Sequence, residues 1–579
     1  MKTNDENMIR KELPAEGTEI TGSEALIFSL MKENVDTIFG YPGGAIMPVY
    51  DALYDYRDRI NHILARHEQG AAHAAESYAK ILGKTGVVLV TSGPGATNLI
   101  TGLTNAMIDS VPLVGFSGQV SSNLLGTDAF QETDVIGITM PITKWNYQIT
   151  SAEEIPDIVA KAFYIASTGR PGPVMIDITK DAQFEKMKWH YEKCRKIRSY
   201  FPYPKVQMEK VQEAAHMINK AKKPLLIAGR GILISKAEKE LMDLVTKADI
   251  PVTTTLLGLS SFPADHPLNV GMPGMHGNMA PNLKTNECDL LIAIGMRFDD
   301  RITGRLDNYA SQAKVIHIEI DHSEIGKNVP TDVAIVADAK DALSKLLPLV
   351  KENDHKEWVE SFRKEYEKEY EKVIRPARSA KGKDIKMDEV VHMISDKTDG
   401  QAIVVTDVGQ HQMVVARNYQ FKQARSFVTS GGLGTMGFGL PAAIGAKVAR
   451  PDLMVLGFTG DGGFQMTIQE LGTIAQHKLP VKVILLNNSF LGMVRQWQDM
   501  FFDKRYSFTE LANPEFTKIA SEGYGIASRY VEKREDLESA VEEMLATDGP
   551  FLLEVKVMKE QNIFPMVPAG ASVSDMVTE

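Results

Sequence analysis

Short apolar runs alternate along the chain with longer amphipathic stretches, and many of the runs end at glycine. In the first third, residues 22–35 and 68–83 have apolar positions at the spacing of a helix that faces a core, whereas residues 61–66, 84–98 and 111–118 each contain a compact apolar run. Strands that alternate with helices in this order predict a parallel sheet covered by helices on both faces. The pattern therefore predicts an α/β domain over the first third of the chain.

The same alternation returns twice, which predicts two further domains of this kind. In the middle of the chain, the predicted strands lie within residues 223–231, 249–258, 289–300, 314–321 and 333–340. In the last third, they lie within residues 401–409, 426–432, 453–463, 481–489 and 550–557. The predicted fold class is α/β, with three doubly wound parallel-sheet domains.

Interruptions of this pattern by charged or proline-containing segments predict the domain boundaries. Residues 186–206 are charged and then broken by proline and tyrosine, as in a linker. Residues 351–384 carry dense alternating charge, which favours a solvated helix between domains. The predicted organisation is a disordered lead over residues 1–19, domains at 20–185, 207–350 and 385–560 joined by these two linkers, and a C-terminal tail at 561–579.

The first and third predicted domains carry similar turns in the same order. Thr91-Ser92-Gly93 opens a glycine loop and is followed by a strand that ends in Gly-Phe-Ser-Gly at 115–118. Thr429-Ser430-Gly431 does the same before a strand that ends in Gly-Phe-Thr-Gly at 457–460. This order indicates two related domains on either side of a different one, although such turns also occur in unrelated parallel sheets.

Charge and cysteine content narrow the class of protein. The 579 residues carry 64 Lys and Arg against 75 Asp and Glu, a net charge of −11, whereas a general nucleic-acid binder presents a basic surface. The sequence contains no apolar stretch of the ~18 residues that a membrane span needs, and it begins without the apolar segment of a secretory signal. Two cysteines, Cys194 and Cys288, cannot build a disulfide scaffold. These features predict a cytoplasmic enzyme that binds neither nucleic acid nor membrane.

Polar residues that follow two apolar runs of the third domain indicate a ligand site. Gly460-Asp461-Gly462-Gly463 follows the run at 453–458, and Asn487-Asn488 follows the run at 481–486. One crossover helix fits between them, so both turns can lie at the carboxyl edge of the sheet, where ligands bind in such folds. Glycines let a backbone approach a phosphate, and Asp and Asn oxygens suit Mg²⁺. Two ordinary turns, with Asp461 capping a helix, are the alternative.

A GDG turn followed by paired asparagines resembles the motif of the thiamine diphosphate enzymes. Other segments resemble one family among them, the large catalytic subunit of acetohydroxyacid synthase (biosynthetic acetolactate synthase), from about residue 20 to the C-terminal end. These segments are YPGGAIMP (41–48), RHEQGAAHAAESYA (66–79), TSGPGATN (91–98), TDAFQE (127–132), ITKWN (142–146), GRPGPV (169–174), GMRFDDR (295–301), DVGQHQM (407–413) and GGLGTMGFGLPAAIGA (431–446). The resemblance implies an architecture like that of pyruvate oxidase and pyruvate decarboxylase, with pyrimidine-binding, FAD-binding and diphosphate-binding domains in chain order.

The resemblance also implies an activity and partners. Pyruvate would lose CO₂ on thiamine diphosphate, and the remaining two-carbon unit would join pyruvate or 2-ketobutyrate to give 2-acetolactate or 2-aceto-2-hydroxybutyrate, precursors of the branched-chain amino acids. The implied cofactors are thiamine diphosphate, Mg²⁺ and FAD, and the implied partners are further copies of the chain, as a homodimer or tetramer, and a small regulatory subunit. The alternatives are an FAD-free catabolic acetolactate synthase, a glyoxylate carboligase, and a non-catalytic protein on the same scaffold.

Matching positions take roles from that family. Glu68 would bond the aminopyrimidine ring of thiamine diphosphate, although a first-turn glutamate also complements a helix dipole. Mg²⁺ would be held by Asp461, Asn488 and the carbonyl of Phe490. The other implied thiamine diphosphate contacts are Gln410, His411, Gly434, Met436, Gly460, Gly462 and Gly463. The implied active-site and substrate-pocket side chains are Gln131, Lys144, Met436, Trp497, Phe130, Arg301, Met493 and Val494.

The central domain matches the family's FAD-contacting segments, although the sequence contains no GxGxxG motif that would predict a dinucleotide independently. Glycine turns after strands can approach a diphosphate, and acids after strands can bind ribose hydroxyls. The FAD would be structural, because the net reaction transfers no electrons. The implied contacts are Arg170, Gly229, Arg230, Gly231, Gly274, Met275, His276, Gly277, Gly295, Arg297, Asp299, Glu319, Ile320, Asp338 and Ala339.

Overall fold

A computed structural model describes residues 13–378 and 382–579 of the chain. Residues 1–12, most of the predicted disordered lead, lie outside the described residues. The chain divides into two compact units, Met1–Tyr200 and Phe201–Glu579. The first unit contains one large sheet and the second contains two, so the three predicted parallel sheets are all present.

The first unit is built from a six-stranded sheet and a two-stranded one. Its strands are β1 Glu19–Thr21, β2 Thr37–Gly40, β3 Asn61–Leu64, β4 Gly86–Val90, β5 Leu113–Gln119, β6 Trp145–Ile149, β7 Pro173–Thr179 and β8 Lys186–Lys188. Its α-helices are α1 Gly22–Lys32, α2 Met47–Tyr54, α3 Glu68–Leu82, α4 Pro94–Thr97, α5 Ile100–Ile108, α6 Val135–Thr139, α7 Ile155–Ser167 and α8 Lys180–Phe184. The large sheet is entirely parallel in the order β3-β2-β4-β5-β7-β6.

Three strands of this unit differ from the sequence prediction. The edge strand β6 was not predicted, because its residues are mostly half-buried and mix aromatic with polar side chains. The strands β1 and β8 pair antiparallel, with Ile20 opposite Met187. Residues at the start of the predicted linker, 186–188, are therefore joined to the beginning of the first domain.

Helix α3 shows how local sequence sets an element that matters for the site. It begins after His67, whose Nδ1 accepts a hydrogen bond from the backbone N–H of Gln69 at 3.1 Å, and it ends at Gly83, which has a φ of 63°. Alanines at 71, 72, 74 and 75 are buried, and their small side chains allow close packing on the sheet. This packing fixes the position of the first residue of the helix, Glu68.

The second unit begins with a five-stranded parallel sheet in the order β10-β9-β11-β12-β13. The strands are β9 Pro224–Ala228, β10 Val252–Thr254, β11 Leu290–Ile294, β12 Lys314–Glu319 and β13 Val333–Val336. The helices are α9 Met208–Lys220, α10 Arg230–Ser235, α11 Glu238–Ala248, α12 Met279–Thr285, α13 Asp300–Thr303 and α14 Ala339–Leu346. Successive residues of β9 point to opposite faces of the sheet: Leu225 packs in one apolar cluster and Leu226 in another. Both faces of this sheet are therefore covered.

A helical segment and a second six-stranded sheet complete the second unit. The charged segment predicted as a linker helix contains α15 Lys356–Glu369 and α16 Arg375–Arg378, joined by one π-helical turn at Tyr370–Ile374. The strands that follow are β14 Ile403–Thr406, β15 Phe427–Val428, β16 Val455–Gly460, β17 Val481–Asn487, β18 Ala527–Val531 and β19 Phe551–Lys556. The helices are α17 Met387–Lys397, α18 Gln410–Asn418, α19 Gly439–Ala449, α20 Asp461–Met466, α21 Leu471–His477, α22 Gly492–Phe501, α23 Phe516–Lys518 and α24 Leu537–Ala546.

The first and last sheets share one strand order, as the repeated turns in the sequence predict. The last sheet is parallel in the order β15-β14-β16-β17-β19-β18, which is the order of the first sheet with each strand replaced by its counterpart. All three sheets place the second strand, the first, the third and the fourth side by side. In each sheet the chain therefore leaves the first and third strands in opposite directions, which opens a crevice at their carboxyl ends.

Each of the described helices is too short or too polar to cross a bilayer.

A buried charge cluster joins α3 to the end of α5. The ammonium of Lys80 lies 2.6 Å from Glu76 Oε1 and 2.9 Å from Asp109 Oδ2, and all three side chains are almost fully buried. Burial raises the pKa of Glu76, but the charge of Lys80 outweighs that effect and holds the pKa below its ordinary value. Two carboxylates thus depend on one lysine in the packing of α3.

Replacing this lysine tests that dependence. Lys80→Met should lower the free energy of unfolding of the first unit by about 3–5 kcal/mol at pH 7, because two buried carboxylates lose their cation. The deficit should shrink at pH 5, because without the charge of Lys80 burial raises the pKa of Glu76 and favours its neutral form. Hydrogen exchange of the α3 amides measures both effects.

Lys84→Met is the matched control. Lys84 pairs with Asp36 at 3.2 Å, but both side chains are 53% exposed, so its loss should change the same free energy by less than about 1 kcal/mol. Equal destabilisation by the two variants would contradict the interpretation of the buried cluster.

Candidate active site

The crevice of the last sheet lies between the carboxyl ends of β14 and β16. The chain after β14 passes through Asp407 to Gly409 before α18, and the chain after β16 enters α20 directly at Asp461. The next strand, β17, ends at Asn487 beside β16. The GDGG turn and the asparagine pair of the sequence are thus neighbours at one sheet edge, as predicted.

Asp461 is buried and bonded by neutral N–H groups. Its carboxylate Oδ2 accepts a hydrogen bond from Asn513 Nδ2 at 2.7 Å, and its side chain is 1% exposed. Burial raises the pKa of Asp461 to about 6, against the opposing effect of the Asn513 hydrogen bond and nearby backbone N–H groups. A cation at this carboxylate would relieve the burial penalty.

Asn488 lies beside a chain of buried glutamines. Its Nδ2 donates to Gln410 Oε1 at 3.3 Å, and Gln410 Nε2 donates in turn to Gln496 Oε1 at 2.9 Å and to the carbonyl of Gln561 at 2.8 Å. A Cβ added at Gly492 would lie 2.2 Å from Gln410 Oε1, so any larger residue there would displace the Gln410 side chain. The amide oxygen of Asn488 accepts from the Phe490 N–H at 3.1 Å, which folds the loop around it.

His411 provides a buried nitrogen with unused hydrogen-bonding capacity. Its Nε2 is buried and has no hydrogen-bond partner among the described residues. Burial lowers the pKa of His411 to about 4, against a backbone hydrogen bond at Asp407, so the ring is neutral at pH 7. A Cβ at Gly460 would lie 3.0 Å from His411 Nδ1. The ring therefore packs closely on the GDGG turn.

Asp407, which the sequence prediction did not single out, organises the loop of Gly434 and Met436. Its Oδ1 accepts from the Gly437 N–H at 3.0 Å, and its Oδ2 accepts from the Gly439 N–H at 2.8 Å. The methyl end of Met436 is 3.4 Å from the position of a Cβ at Gly462. Met436 thus lies beside the GDGG turn, and its role under a cofactor stays a prediction.

Three predicted pocket residues lie on α22, which follows the Asn488 loop. Val494 is exposed, whereas Met493 and Trp497 are half-buried. The Trp497 ring packs on Phe501, with 5.3 Å between ring centroids. These side chains follow the predicted metal loop directly, so the structure brings both sets of residues onto one segment.

In the first unit, Glu68 lies beside the crevice of the first sheet. Its Oε2 accepts from Asn98 Nδ2 at 2.9 Å, and its Oε1 is 3.6 Å from the position of a Cβ at Gly95. Thr91 Oγ1 accepts from the Ala45 N–H at 3.3 Å and joins the two loops of the crevice. The segment TSGPGATN thus supplies neighbours of Glu68, and Asn98 is a contact that the sequence prediction missed.

The other predicted residues of the first unit have different surroundings. Phe130 is 89% exposed, and Gln131 has a φ of 59° against the glycine turn at Gly93. The ammonium of Lys144 donates to the carbonyls of Ile165 and Thr168 and to the hydroxyl of Tyr200, at 2.5, 2.7 and 3.0 Å. Burial, followed by the charge of Arg170, lowers the pKa of Lys144 to about 8. These contacts use its three donors at the end of α7, and a role for Lys144 toward substrate stays a prediction.

The crevice of the middle sheet brings two of the predicted FAD segments together. The Gly231 N–H donates to the Gly295 carbonyl at 2.9 Å, and Gly295 has a φ of 57°. A Cβ at Gly231 would lie 2.4 Å from the Gly295 Cα, so the close approach of these two turns requires glycine. Gly229 and Arg230 precede this contact at the start of α10.

Met275, in another predicted FAD segment, is bonded to two segments distant in sequence. Its N–H donates to the Arg301 carbonyl at 2.8 Å, and its carbonyl accepts from Val567 of the C-terminal tail at 2.8 Å. His276 is buried, and its Nδ1 has no partner in the part of the chain that the structure describes. Burial, with Arg417 and Arg301 nearby, lowers the pKa of His276 to about 4.

The acidic residues among the predicted FAD contacts accept hydrogen bonds from nearby backbone N–H groups. Asp299 accepts from the Arg301 N–H at 3.1 Å and begins α13, and Asp338 accepts from the N–H of Lys340 and begins α14. Glu319 Oε1 accepts from Ile320 at 2.9 Å. Gly274, Gly277, Arg297 and Ala339 lie in the same loops, whereas Arg170 belongs to the first unit, where its Nε donates to Ser110 Oγ at 2.9 Å.

Comparison with family models identifies all three sheets. The N-terminal thiamine pyrophosphate-binding domain matches residues 20–138, the central domain of these enzymes matches residues 211–346, and their C-terminal thiamine pyrophosphate-binding domain matches residues 407–555. Thiamine pyrophosphate is another name for thiamine diphosphate. The predicted fold and cofactor class are therefore confirmed.

Comparison with individual proteins identifies one family among these enzymes. The chain is 45% identical over 562 residues to the acetolactate synthase isozyme 2 large subunit of Escherichia coli K12, covering 96% of this chain and 99% of that protein. It is 46% identical to the acetolactate synthase large subunit of Lactococcus lactis, covering 96% of each chain. It is 45% identical to that of Cyanidium caldarium, again covering 96% of each. The chain belongs to the acetolactate synthase large-subunit family of thiamine diphosphate enzymes.

Proposed function

We propose that the chain joins two 2-ketoacids with loss of CO₂. Pyruvate supplies a two-carbon unit, and a second pyruvate or 2-ketobutyrate accepts it, to give 2-acetolactate or 2-aceto-2-hydroxybutyrate. The observation that carries the proposal is the buried pair Asp461 and Asn488 at the crevice of the last sheet. The close relatives described above are acetolactate synthases, which supports the same reaction.

The residues at this crevice fit a diphosphate and Mg²⁺. Asp461 and Asn488 offer hard oxygens, and the Phe490 carbonyl lies in the same loop. The unpartnered His411 Nε2 can donate to a phosphate oxygen. The α20 helix is too short to act alone, so the fit rests on these side chains together. Mg²⁺ held here would neutralise the diphosphate.

Thiamine diphosphate, when bound, supplies a nucleophilic carbon and an electron sink for decarboxylation. The chain's own part is to orient and to move protons. Glu68 holds a proton at the aminopyrimidine ring, and Asn98 fixes its carboxylate. Met436 packs against the GDGG turn and shapes the cofactor site. Met493, Val494 and Trp497 line the space for the second ketoacid, with Gln131, Phe130 and Arg301 as further substrate contacts.

The middle crevice fits FAD in a structural role. Its glycine turns follow β9 and β11 at the carboxyl edge of the sheet, where a diphosphate can bind. The buried His276 Nδ1 is available for a polar contact. We assign the flavin no redox step, because the proposed reaction transfers no net electrons.

Assembly with other chains is part of the proposal. The relatives are named large subunits, which supports a smaller regulatory partner for this chain as well. We also propose a homodimer or tetramer, on the ground that the family relationship extends over nearly the full chain.

A product assay tests the reaction. With pyruvate and 2-ketobutyrate in equal amounts, thiamine diphosphate, Mg²⁺ and FAD, the purified chain should form both products, with 2-aceto-2-hydroxybutyrate in excess. Trp497→Leu should shift the product ratio toward 2-acetolactate by about tenfold or more, since a change in apolar pocket contacts is worth about 1–3 kcal/mol. Mass spectrometry measures the ratio.

Two outcomes of that assay would contradict the proposal. Full activity after complete removal of FAD would favour the FAD-free catabolic enzyme. Condensation of glyoxylate in preference to pyruvate would favour a glyoxylate carboligase.

Glu68 is tested by proton exchange at C2 of bound thiamine diphosphate. Glu68→Gln should slow C2 exchange by about 10²–10⁴-fold, because the variant loses the group that holds the proton. NMR of quenched samples in D₂O measures the rate. Glu209→Gln, at an exposed first-turn position of α9, is the control and should leave the rate unchanged.

The same experiment distinguishes the proposed role of Glu68 at the cofactor from stabilisation of the α3 helix dipole. If the carboxylate only stabilises α3, Glu68→Gln should lower stability by about 0.3–1 kcal/mol and leave C2 exchange at the wild-type rate. Wild-type exchange in that variant would therefore overturn the assigned role.

A further inference from the structure

Asn513 bonds two other polar residues of the proposed metal site with one amide nitrogen. It lies between α22 and α23, well separated in sequence from the GDGG turn. Its Nδ2 donates to Asp461 Oδ2 at 2.7 Å and to Asn487 Oδ1 at 2.9 Å. Its Oδ1 accepts from Gln465 Nε2 at 2.9 Å. Both the nitrogen and the oxygen of the Asn513 amide are thus hydrogen-bonded.

The orientation of these amides is set by a carboxylate at the far end. Glu554, on β19, accepts from Asn487 Nδ2 at 2.8 Å. Since the Glu554 carboxyl accepts from Asn487, Asn487 presents its nitrogen to Glu554 and its oxygen to Asn513. Asn513 must then present its NH₂ group, whose two hydrogens serve Asn487 and Asp461. We name this chain of four residues, Glu554, Asn487, Asn513 and Asp461, the amide relay.

The amide relay accounts for the first asparagine of the NN pair. Asn487 received no predicted role, whereas Asn488 was predicted to bind the metal. In the structure, Asn487 Oδ1 also accepts from the Ser489 N–H at 3.1 Å, so it anchors the loop that carries Asn488. Asn513 consequently links both candidate metal ligands, one directly and one through Asn487.

We propose that Asn513 is a positioning residue for the divalent cation of this site. By bonding one carboxylate oxygen of Asp461, it fixes the rotation of the carboxylate and so orients the other oxygen for a metal. Loss of a residue that orients a metal ligand typically weakens metal binding 10–100-fold. The inference rests on the proposed function, because it requires that Asp461 bind the metal.

Mn²⁺ binding to the full chain in the presence of thiamine diphosphate tests the proposal. Electron paramagnetic resonance gives the Kd for Mn²⁺ in the wild type, Asn513→Leu and Asn513→Ala. Leucine fills nearly the same space without a donor, and alanine serves where leucine disturbs folding. Glu522→Gln is the control, because its side chain is exposed and lies outside the amide relay.

Both Asn513 variants should raise the Kd for Mn²⁺ by about 10–100-fold, and Glu522→Gln should leave it close to wild type. Excess metal should restore kcat. A structural role would instead leave kcat low at saturating metal. That pattern, or an unchanged Kd, would overturn the proposal.

Asp461→Ala distinguishes this failure from failure of the proposed function. If Asp461→Ala weakens Mn²⁺ binding and the Asn513 variants do not, only the role of Asn513 is lost. If Asp461→Ala binds Mn²⁺ as tightly as the wild type, the metal site itself is misassigned and both proposals fall.

Discussion

The candidate sites depend on one constraint, which is that the chain leaves neighbouring central strands of each parallel sheet in opposite directions. A parallel strand must be followed by a crossover, and in these sheets the crossovers after the first and third strands leave in opposite directions. Helices cannot cover the gap that this leaves at the carboxyl edge. Backbone N–H groups and short polar side chains collect there, at Asp461 in the last sheet and at Gly231 and Gly295 in the middle one. The sheet topology therefore determines where ligands can bind, and the side chains determine which ligands.

Electrostatics then decides what the crevice of the last sheet can hold. Asp461 is buried among amide and backbone donors, and burial raises its pKa to about 6. Neutral donors stabilise a carboxylate less than a cation does, which supports the proposal of a divalent cation at this site. Since the whole chain is acidic, with a net charge of −11, local geometry and not the overall field must bind an anionic cofactor.

Much of this arrangement could be predicted from the sequence, because strands buried on both faces leave long apolar runs. The strands of all three large sheets that have such runs, for example β16 and β17, lie where the pattern placed them. The edge strands β6 and β18 were missed, since their half-exposed residues are not distinct from a loop. The relation between the first and last domains was visible in two turns and is confirmed by the shared strand order.

Side-chain contacts over long sequence separations could not be predicted. Asn513 is 52 residues from Asp461, and its own neighbourhood has no pattern that points to a ligand site. Lys144 matched a family position, but its ammonium is bound by carbonyls at the end of α7, a contact that requires three-dimensional packing. Asp407 lies within a recognised motif, yet only the structure assigns its two oxygens to the Gly437 and Gly439 backbone.

The most direct test of this account is a crystal structure with thiamine diphosphate and Mn²⁺. We expect one anomalous peak per chain in the crevice between β14 and β16, within coordination distance of an Asp461 carboxylate oxygen and the Asn488 amide oxygen. An anomalous peak elsewhere, with Asp461 and Asn488 bonded only to protein, would contradict it.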